Sequence, residues 1–300
     1  MAAQQDPQEG KPLKKLMLPK WKLPKWKLLV AVAVLAVCAA NVAFAAGYVK
    51  DFSAEYDEPL CIAQTDYVTV EVNGIEVEDD YLVIDTLVAN SSRKRGCEVS
   101  VTRASVNGIE LYPTYSEDVD AEDECDEPIE LDLSDVIANT DLHDISDIEL
   151  AIVIEDDDME VVYKDTVHIY PHGADKAERY ARPAADTDIV VVDTEKFTVT
   201  VTEFEYVAGW GYSVHMFLQN KTDAVIWVEG QDFVLNGTDA DTQYDRYVGA
   251  RGVCFSRLEW SQADLDDAEA EEVTSITFNL NIYDEAADTL LYVKTIRLDP

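Results

Sequence analysis

The chain has 300 residues, of which 47% are hydrophobic and 28% are charged. This composition is typical of a folded protein of about two domains and excludes a wholly disordered chain. Residues 1–50 carry eight lysines against two acidic residues, a net charge of +6, whereas residues 51–300 carry 15 basic and 59 acidic residues, a net charge of −44. Such an acidic region repels phosphates and excludes nucleic acid as a partner, and it favours basic partners, divalent cations or solubility alone.

An uncharged segment, residues 28–49, follows a basic tail of residues 1–27. At 1.5 Å per residue these 22 residues extend about 33 Å, enough to cross the roughly 30 Å hydrocarbon core of a bilayer. The tandem repeat LPKWK-LPKWK at residues 18–27 places tryptophan and lysine where the headgroups would lie. Because the lysines precede the segment, we expect a single-pass cell-membrane protein with a cytoplasmic N-terminus and an extracytoplasmic C-terminal region.

A second interpretation of this segment stays open. Ala43-Phe44-Ala45 fits the A-x-A pattern of a signal-peptidase site, with cleavage after Ala45. The charged region before the apolar segment would then be unusually long, and the tandem repeat would have no evident purpose. The sequence favours a retained signal anchor over a cleaved leader.

The region beyond the membrane segment is predicted to be built from β-strands. Residues 50–65 are interpreted as a stalk or a leading strand. Alternating and β-branched runs then predict strands at residues 68–72, 81–89, 148–154 and 161–169. Asn107-Gly108, between two such runs, is a typical hairpin turn.

An internal repeat organises this region. Similar residues recur at separations of 127–130 residues, including Asn90 and Asn220, Asn107 and Asn236, and Pro171 and Pro300. A steady separation over several distant anchors predicts two copies of one β domain, residues 66–171 and 195–300, joined by a linker of residues 172–194.

The strand pattern indicates the kind of β domain. Leu82, Ile84, Thr86 and Val88 alternate with more polar residues, as in a strand with one buried face. About seven strands in about 105 residues suit an immunoglobulin-like sandwich. We therefore predict an all-β fold, with two tandem immunoglobulin-like β-sandwiches after a single N-terminal transmembrane helix.

Each copy opens with a T-V-x-V strand, continues with a tyrosine-containing strand that ends in asparagine, has a strand before Asn-Gly, and closes with a strand ending in proline. This pattern resembles a class of membrane-anchored, extracytoplasmic β-sandwich repeat proteins of high-GC Gram-positive bacteria. Many members of that class carry a cytoplasmic zinc ribbon before the membrane helix, whereas residues 1–27 contain no cysteine and lack it. The resemblance implies a fold and a membrane location and brings no catalytic residues.

No catalytic or cofactor motif is present in the sequence. The histidines, His143, His168, His172 and His215, have no metal-ligand spacing. No nucleophile elbow or glycine-rich phosphate loop occurs. We therefore expect no enzyme activity, no catalytic residues and no bound cofactor.

The acidic run at residues 117–127 is the best candidate for a ligand site. Asp118, Asp120, Glu122 and Asp123 supply hard oxygen ligands of the kind that Ca²⁺ prefers. The run lacks the turn glycine of an EF-hand, so a solvated acidic loop is the stronger interpretation. Separately, Trp210, Tyr212, Trp227 and Tyr247 are weighed as a sugar-binding surface against ordinary core packing.

Four cysteines, Cys61, Cys97, Cys125 and Cys254, lie beyond the membrane segment. Outside the cytoplasm they could form disulfides, and three pairings are open. Our preferred hypothesis is a bond between Cys97 and Cys125 within the first copy, with Cys61–Cys97 as its rival. Cys254 has no partner in its own copy and is interpreted either as a buried free thiol or as a bridge to another copy or molecule. Strand alternation places it opposite Val253 and Phe255, which favours an accessible thiol.

These expectations define a function only broadly. The sequence favours a surface-exposed, non-catalytic binding or structural protein of the cell envelope, held in the membrane through residues 28–49. Its partner would be an unidentified protein or envelope polymer. An envelope hydrolase and an envelope-sensing signalling partner remain the alternatives.

Overall fold

The computed structural model describes residues 49, 51–240, 242–270 and 272–300. The chain divides into two compact units, and all described residues belong to the second, Ala45–Pro300. The predicted cytoplasmic tail and residues 28–48 lie outside the described residues. Within the described part of the chain, no helix is long and apolar enough to cross a membrane. Strands account for 58% of the structure and helices for 6%, so the predicted all-β fold is confirmed.

The N-terminal half, residues 51–171, contains ten strands and one short α-helix among its described residues. The strands are β1 (Ser53–Gln64), β2 (Val68–Glu78), β3 (Tyr81–Asn90), β4 (Cys97–Val106), β5 (Ile109–Leu111), β6 (Ser116–Val119), β7 (Glu124–Cys125), β8 (Ile129–Asp132), β9 (Ile148–Asp156) and β10 (Val161–Ile169). Helix α1 (Ser134–Asn139) lies between β8 and β9.

The C-terminal half, residues 189–300, follows a connecting segment that contains a 3₁₀ turn, Ala174–Lys176. Its strands are β11 (Ile189–Asp193), β12 (Phe197–Val207), β13 (Gly211–Asn220), β14 (Ile226–Leu235), β15 (Thr238–Asp239), β16 (Tyr244–Val248), β17 (Val253–Ser261), β18 (Ile276–Asp284) and β19 (Thr289–Leu298). Helix α2 (Gln262–Asp267) follows β17, and Ser261 and Asp264 form a capping box at its start.

The described strands form three sheets. The first has the order β1-β2-β3-β7, with β8 also paired to β3. The second has nine strands, including β10-β9-β4-β5-β17-β13-β12-β11 along its path and β6 paired to β4. The third has the order β15-β14-β18-β19, with β16 paired to β14. The nine-stranded sheet therefore contains strands from both halves of the chain.

The same pairing order recurs in the two halves. In the N-terminal half β2 pairs with β3 and β3 with β8, and β4 pairs with β9 and β9 with β10. In the C-terminal half β12 pairs with β13 and β13 with β17, while β14 pairs with β18 and β18 with β19. The equivalent elements occur in the same order along the chain, which is what a duplicated strand pattern requires.

Two asparagines at equivalent turns make the same set of hydrogen bonds. The side-chain oxygen of Asn107 accepts from the backbone amides of Ser146 and Asp147, at 2.9 and 3.0 Å. That of Asn236 accepts from the backbone amides of residues 274 and 275, at 2.8 and 3.0 Å. Both asparagines have positive φ, 50° and 51°, a region that asparagine tolerates better than most residues. Asn107 therefore ties the start of β9 to the turn between β4 and β5. Asn236 likewise ties the start of β18 to the turn between β14 and β15.

The segment interpreted as a stalk or leading strand is strand β1, which pairs antiparallel with β2. The predicted linker also has defined contacts. The Tyr180 amide donates to the Asn107 carbonyl at 2.8 Å, and Arg182 forms a two-pronged ion pair with Asp188. Residues 189–193 of that linker form β11, which pairs with β12. The connecting segment is thus packed along the protein surface.

Candidate functional site

The two halves meet at a short parallel contact between β5 and β17. Ile109 is the register partner of Val253, and the Val253 amide donates to the Gly108 carbonyl at 2.8 Å. A Cβ at Gly252 would lie 3.2 Å from the Gly108 carbonyl oxygen, so a glycine fits this close approach best. Backbone hydrogen bonding therefore continues from one half into the other.

A buried carboxylate lies at this junction. The Glu110 side chain is 2% exposed, and it accepts from Arg103 Nη1 at 2.7 Å and from the Gly249 amide at 2.6 Å. Arg103 also donates through Nη2 to Glu149. Burial raises the pKa of Glu110 to about 7, even though Arg103 and the Gly249 amide favour its charged form. The N-terminal half supplies the charged side chains, and the C-terminal half supplies the Gly249 amide that completes the hydrogen bonding of Glu110.

Strand β17 is buried on both faces where it crosses the junction. Val253 and Phe255 belong to the hydrophobic cluster of the N-terminal half, together with Phe217 of β13. Cys254 points the other way, into the cluster of the C-terminal half, and is 0% exposed. The structure therefore agrees with the interpretation of Cys254 as a buried free thiol, and the accessible position that alternation favoured is wrong. The alternation was right, but each face of the strand packs against a different core.

The Cys254 thiol has a partner across the junction. The Tyr112 hydroxyl lies 3.2 Å from Cys254 Sγ, and burial raises the pKa of Cys254 to about 12. The guanidinium of Arg246 lies 5.2 Å from the centre of the Tyr112 ring. A thiol with so high a pKa is protonated at neutral pH and is a poor nucleophile.

The structure keeps the cysteines of the proposed disulfide as free thiols. Cys97 lies on β4 of the nine-stranded sheet, with Val119 and Asp156 as register partners, and Cys125 lies on β7 of the first sheet. Burial raises the pKa of Cys97 to about 11. The Cys97–Cys125 bond, which would join the two sheets, stays a prediction.

The four acidic residues considered for calcium lie on and after β6. Asp118 is a register partner of Glu98, Glu122 forms a 3.8 Å ion pair with Arg93, and Asp123 accepts from the amide of the next residue. Among the described residues, no three His, Cys, Asp or Glu side chains are placed so that they could hold a metal ion. Asp118, Glu122 and Asp123 therefore each have a different local partner.

Three histidines each contact a nearby carboxylate. His168 lies 2.7 Å from Asp147, and His215 lies 3.1 Å from Glu205. His172 contacts Asp144 at 2.9 Å and lines a cleft of about 750 Å³ beside the connecting segment. These pairs join neighbouring strands or hold the connecting segment.

The four aromatic residues considered for sugar binding do not form one surface. Trp227 stacks between Tyr247 and Tyr283, with ring centres 6.3 and 4.8 Å apart, on the outer side of the third sheet. Tyr212 is buried in the core. Trp227, Tyr247 and Tyr283 are thus register partners on neighbouring strands of the third sheet, whereas Trp210 follows β12 of the nine-stranded sheet.

The hairpin between β12 and β13 carries the fourth aromatic residue, and it is the most exposed apolar part of the C-terminal half that we describe. Trp210 is 81% exposed, and Tyr206 and Val207 are 56% and 42% exposed. The Trp210 backbone is held by hydrogen bonds to Val207 and Gln262. A shallow cleft of about 510 Å³ beside it is lined by Glu205 and Arg257 among others. The sequence grouped Trp210 with Tyr212, Trp227 and Tyr247 and did not single out this hairpin, on which Trp210 is exposed.

No protein-family model matches the chain, and no curated protein matches it in sequence. The solved structures with some likeness include the exo-β-D-glucosaminidase CsxA, at 11% identity and a TM-score of 0.23, covering 75% of this chain and 26% of that chain. Another is a protein of unknown function from Porphyromonas gingivalis W83, at 13% identity and a TM-score of 0.21, covering 83% of this chain and 99% of that chain. The chain thus spans about a quarter of the glucosaminidase chain, and TM-scores this low bear on neither fold nor function.

Proposed function

We propose that the chain is a membrane-anchored, surface-exposed binding or structural protein of the cell envelope, without catalytic activity. Two immunoglobulin-like sandwiches form its extracytoplasmic part. The observation that carries the proposal is the nine-stranded sheet, which contains strands from both halves and joins them by backbone hydrogen bonding. A rigid pair of sandwiches on a tether suits display of loops and sheet edges to a partner.

The pairing order supports the immunoglobulin-like assignment. An immunoglobulin domain places its A, B and E strands on one sheet and its C, F and G strands on the other. In the C-terminal half β12, β13 and β17 take the places of A, B and E, and β14, β18 and β19 take those of C, F and G. In the N-terminal half β2, β3 and β8 correspond to the first set, and β4, β9 and β10 to the second.

The junction supports rigidity in the proposed function. A flexible linker between sandwiches would leave strand edges and charges at the junction in water. Here the connecting segment is tied down by Tyr180 and Arg182, and Glu110 is buried between Arg103 and Gly249. Because a buried ion cluster tolerates little displacement, the halves are expected to move together.

The membrane part of the proposal rests on residues 28–49 and on the lysines before them. Protease added to intact cells is expected to remove the acidic region and to leave the N-terminal tail protected. Full protection of the acidic region would contradict an outside location. N-terminal sequencing of the mature chain separates the two interpretations of the segment, because a start at Ala46 means cleavage after Ala45.

The binding part of the proposal is tested with residues 51–300 as bait on intact cells, followed by crosslinking and identification of what is captured. Capture of a defined envelope protein or polymer, abolished by excess free bait, is the expected result. If the region captures nothing, and deletion of the chain lowers envelope integrity, the protein has a structural role. Turnover of an envelope substrate by the purified region would contradict the non-catalytic assignment.

A further inference from the structure

The two halves differ along the outer edge of their equivalent strands β2 and β12. In the N-terminal half, β1 pairs with both ends of β2, and its residues 53–55 face residues 74–76. In the C-terminal half, β11 pairs only with residues 198–201 of β12. Within the described chain, residues 203–207 pair with β13 alone. Their outer edge therefore presents backbone groups of the kind that take up an added strand.

The position of the connecting segment explains why this edge is left open. The Tyr180 ring packs against Phe255, with ring centres 6.0 Å apart, and the Arg182 guanidinium lies 5.5 Å from the centre of the Phe217 ring. Arg182 also pairs with Asp188, immediately before β11. The chain that precedes β11 is therefore held at the junction and cannot run along residues 203–207 as β1 runs along β2.

Side-chain exposure follows the same difference. Val77 near the end of β2 is 9% exposed, and its amide donates to the Phe52 carbonyl at 3.1 Å. Its equivalent in the pairing pattern, Tyr206, is 56% exposed. The β12–β13 hairpin also has one more loop residue than the β2–β3 hairpin, since its end pair is Val207–Gly211 and that of the first is Glu78–Tyr81. The longer loop carries the exposed Trp210.

Charge decides what kind of strand the edge can take. Glu203 and Glu205 are exposed and alternate along the open part of β12, and Glu205 also contacts His215 at 3.1 Å. A second copy of this chain would bring more carboxylates to this edge, because residues 51–300 carry a net charge of −44, and like charges on neighbouring strands destabilise pairing. A lysine or arginine on the added strand would instead pair with these carboxylates, and the exposed indole of Trp210 suits a cation over its face.

We infer that residues 203–207, together with Trp210, bind an extended lysine- or arginine-containing peptide segment of a partner protein as an added β-strand. This inference rests on the proposed binding function and names its site and partner class. Backbone pairing would supply the register, and Glu203, Glu205 and Trp210 would select basic side chains.

The test uses residues 51–300 and a seven-residue peptide of alternating lysine and valine, with a glutamate–valine peptide as control. Hydrogen exchange measured by mass spectrometry is expected to show new protection of residues 203–207 with the basic peptide only. Residues 74–76, already covered by β1, are expected to show no change. Fluorescence titration supplies the affinity, because Trp260 is buried and Trp210 is the most exposed tryptophan in this region.

Two charge-reversal variants distinguish strand addition from general attraction to an acidic protein. Glu203→Lys/Glu205→Lys is expected to weaken peptide binding at least tenfold. Glu76→Lys/Glu78→Lys makes the same charge change on the covered strand β2 and is expected to leave affinity within about twofold. Trp210→Ala is expected to weaken binding several-fold without loss of the folded state, which circular dichroism checks.

Peptide binding without protection of residues 203–207, or equal weakening in both charge-reversal variants, would overturn the inference. So would protection of this edge by an envelope polysaccharide but not by the basic peptide. If the Glu203→Lys/Glu205→Lys region still captures the same envelope partner as the wild type, the edge is not the site and the proposed function stands. If the wild-type region captures no partner, both the proposed binding function and the inference that rests on it fail.

Discussion

The N-terminal and C-terminal halves share a strand order but differ in what surrounds it. In the N-terminal half a twelve-residue strand, Ser53–Gln64, covers the outer edge of the first sheet. In the C-terminal half the corresponding strand has five residues, because the chain before it is held at the junction. One pattern of hydrogen bonds therefore gives a closed edge in one place and an open edge in the other.

The halves also differ in where they place charge. Glu110 follows the Asn107 turn and is buried at the junction, whereas Asp239, three residues after the equivalent Asn236, is exposed. The difference follows from assembly, since the Gly249 amide of the other half packs against Glu110 and donates a hydrogen bond to it. An acidic residue at the same place in a duplicated pattern can thus be a solvated charge or a buried one.

The largest expected effect tests this contrast. Arg103→Ala leaves Glu110 buried without its partner and is expected to lower the free energy of unfolding by about 3–5 kcal/mol. Arg257→Ala removes an exposed ion pair with Asp135 across the same junction and is expected to cost at most about 1 kcal/mol. Urea denaturation of residues 51–300 measures both. Equal losses in the two variants would mean that the burial of Glu110 does not increase the cost of removing its ion-pair partner.

The second prediction concerns pH. The folded-state pKa of Glu110, about 7, lies above its ordinary value of 4.5. The stability linked to its protonation is therefore fully present below about pH 4.5 and is lost as pH rises through about 7. We expect the unfolding free energy of the wild type to fall by about 1–3 kcal/mol more than that of Glu110→Gln between pH 5 and pH 8. Parallel profiles for the two proteins would contradict the raised pKa.

The two asparagines give a matched pair for the third prediction. Asn107 is 4% exposed, whereas Asn236 is exposed and water can replace its hydrogen bonds. Glycine keeps the positive φ at both sites and removes the side-chain bonds, and the entropy that it adds to the unfolded chain costs about the same at both. Asn107→Gly is expected to lower the free energy of unfolding by about 2–3 kcal/mol and Asn236→Gly by about 1 kcal/mol. The thermal midpoints of the two variants should separate accordingly, and a larger loss for Asn236→Gly would reverse the reasoning.

The smallest effect concerns the thiols. In the native, reduced protein the exposed Cys61 should be alkylated first, while Cys97 and Cys254, whose pKa values are raised to about 11 and 12, should react slowly. Peptide mapping of the protein isolated without reduction tests the predicted Cys97–Cys125 bond. If both are alkylated as free thiols in the unfolded, unreduced protein, that pairing is excluded.

Much of each half could be predicted from the sequence because its information is local. Leu82, Ile84, Thr86 and Val88 alternate in the sequence, and all four are buried on one face of β3. The Asn107-Gly108 turn was predicted from two residues and has the positive φ values that such a turn needs. The alternation of polar and apolar residues and the chemistry of turns both act over a few residues, so a single sequence is enough to show them.

What the sequence by itself determined, then, is the all-β class, the faces of its strands and the uneven charge along the chain. The tertiary structure alone decided how the halves meet. Glu110 and Gly249 are 139 residues apart in the chain, yet the Glu110 carboxylate accepts a hydrogen bond from the Gly249 amide at 2.6 Å. Cys254 looked accessible because alternation assigns a residue to one face of a strand but cannot show that both faces are covered. Burial on both sides of β17, and the open edge of β12, depend on contacts between distant segments, which no local pattern records.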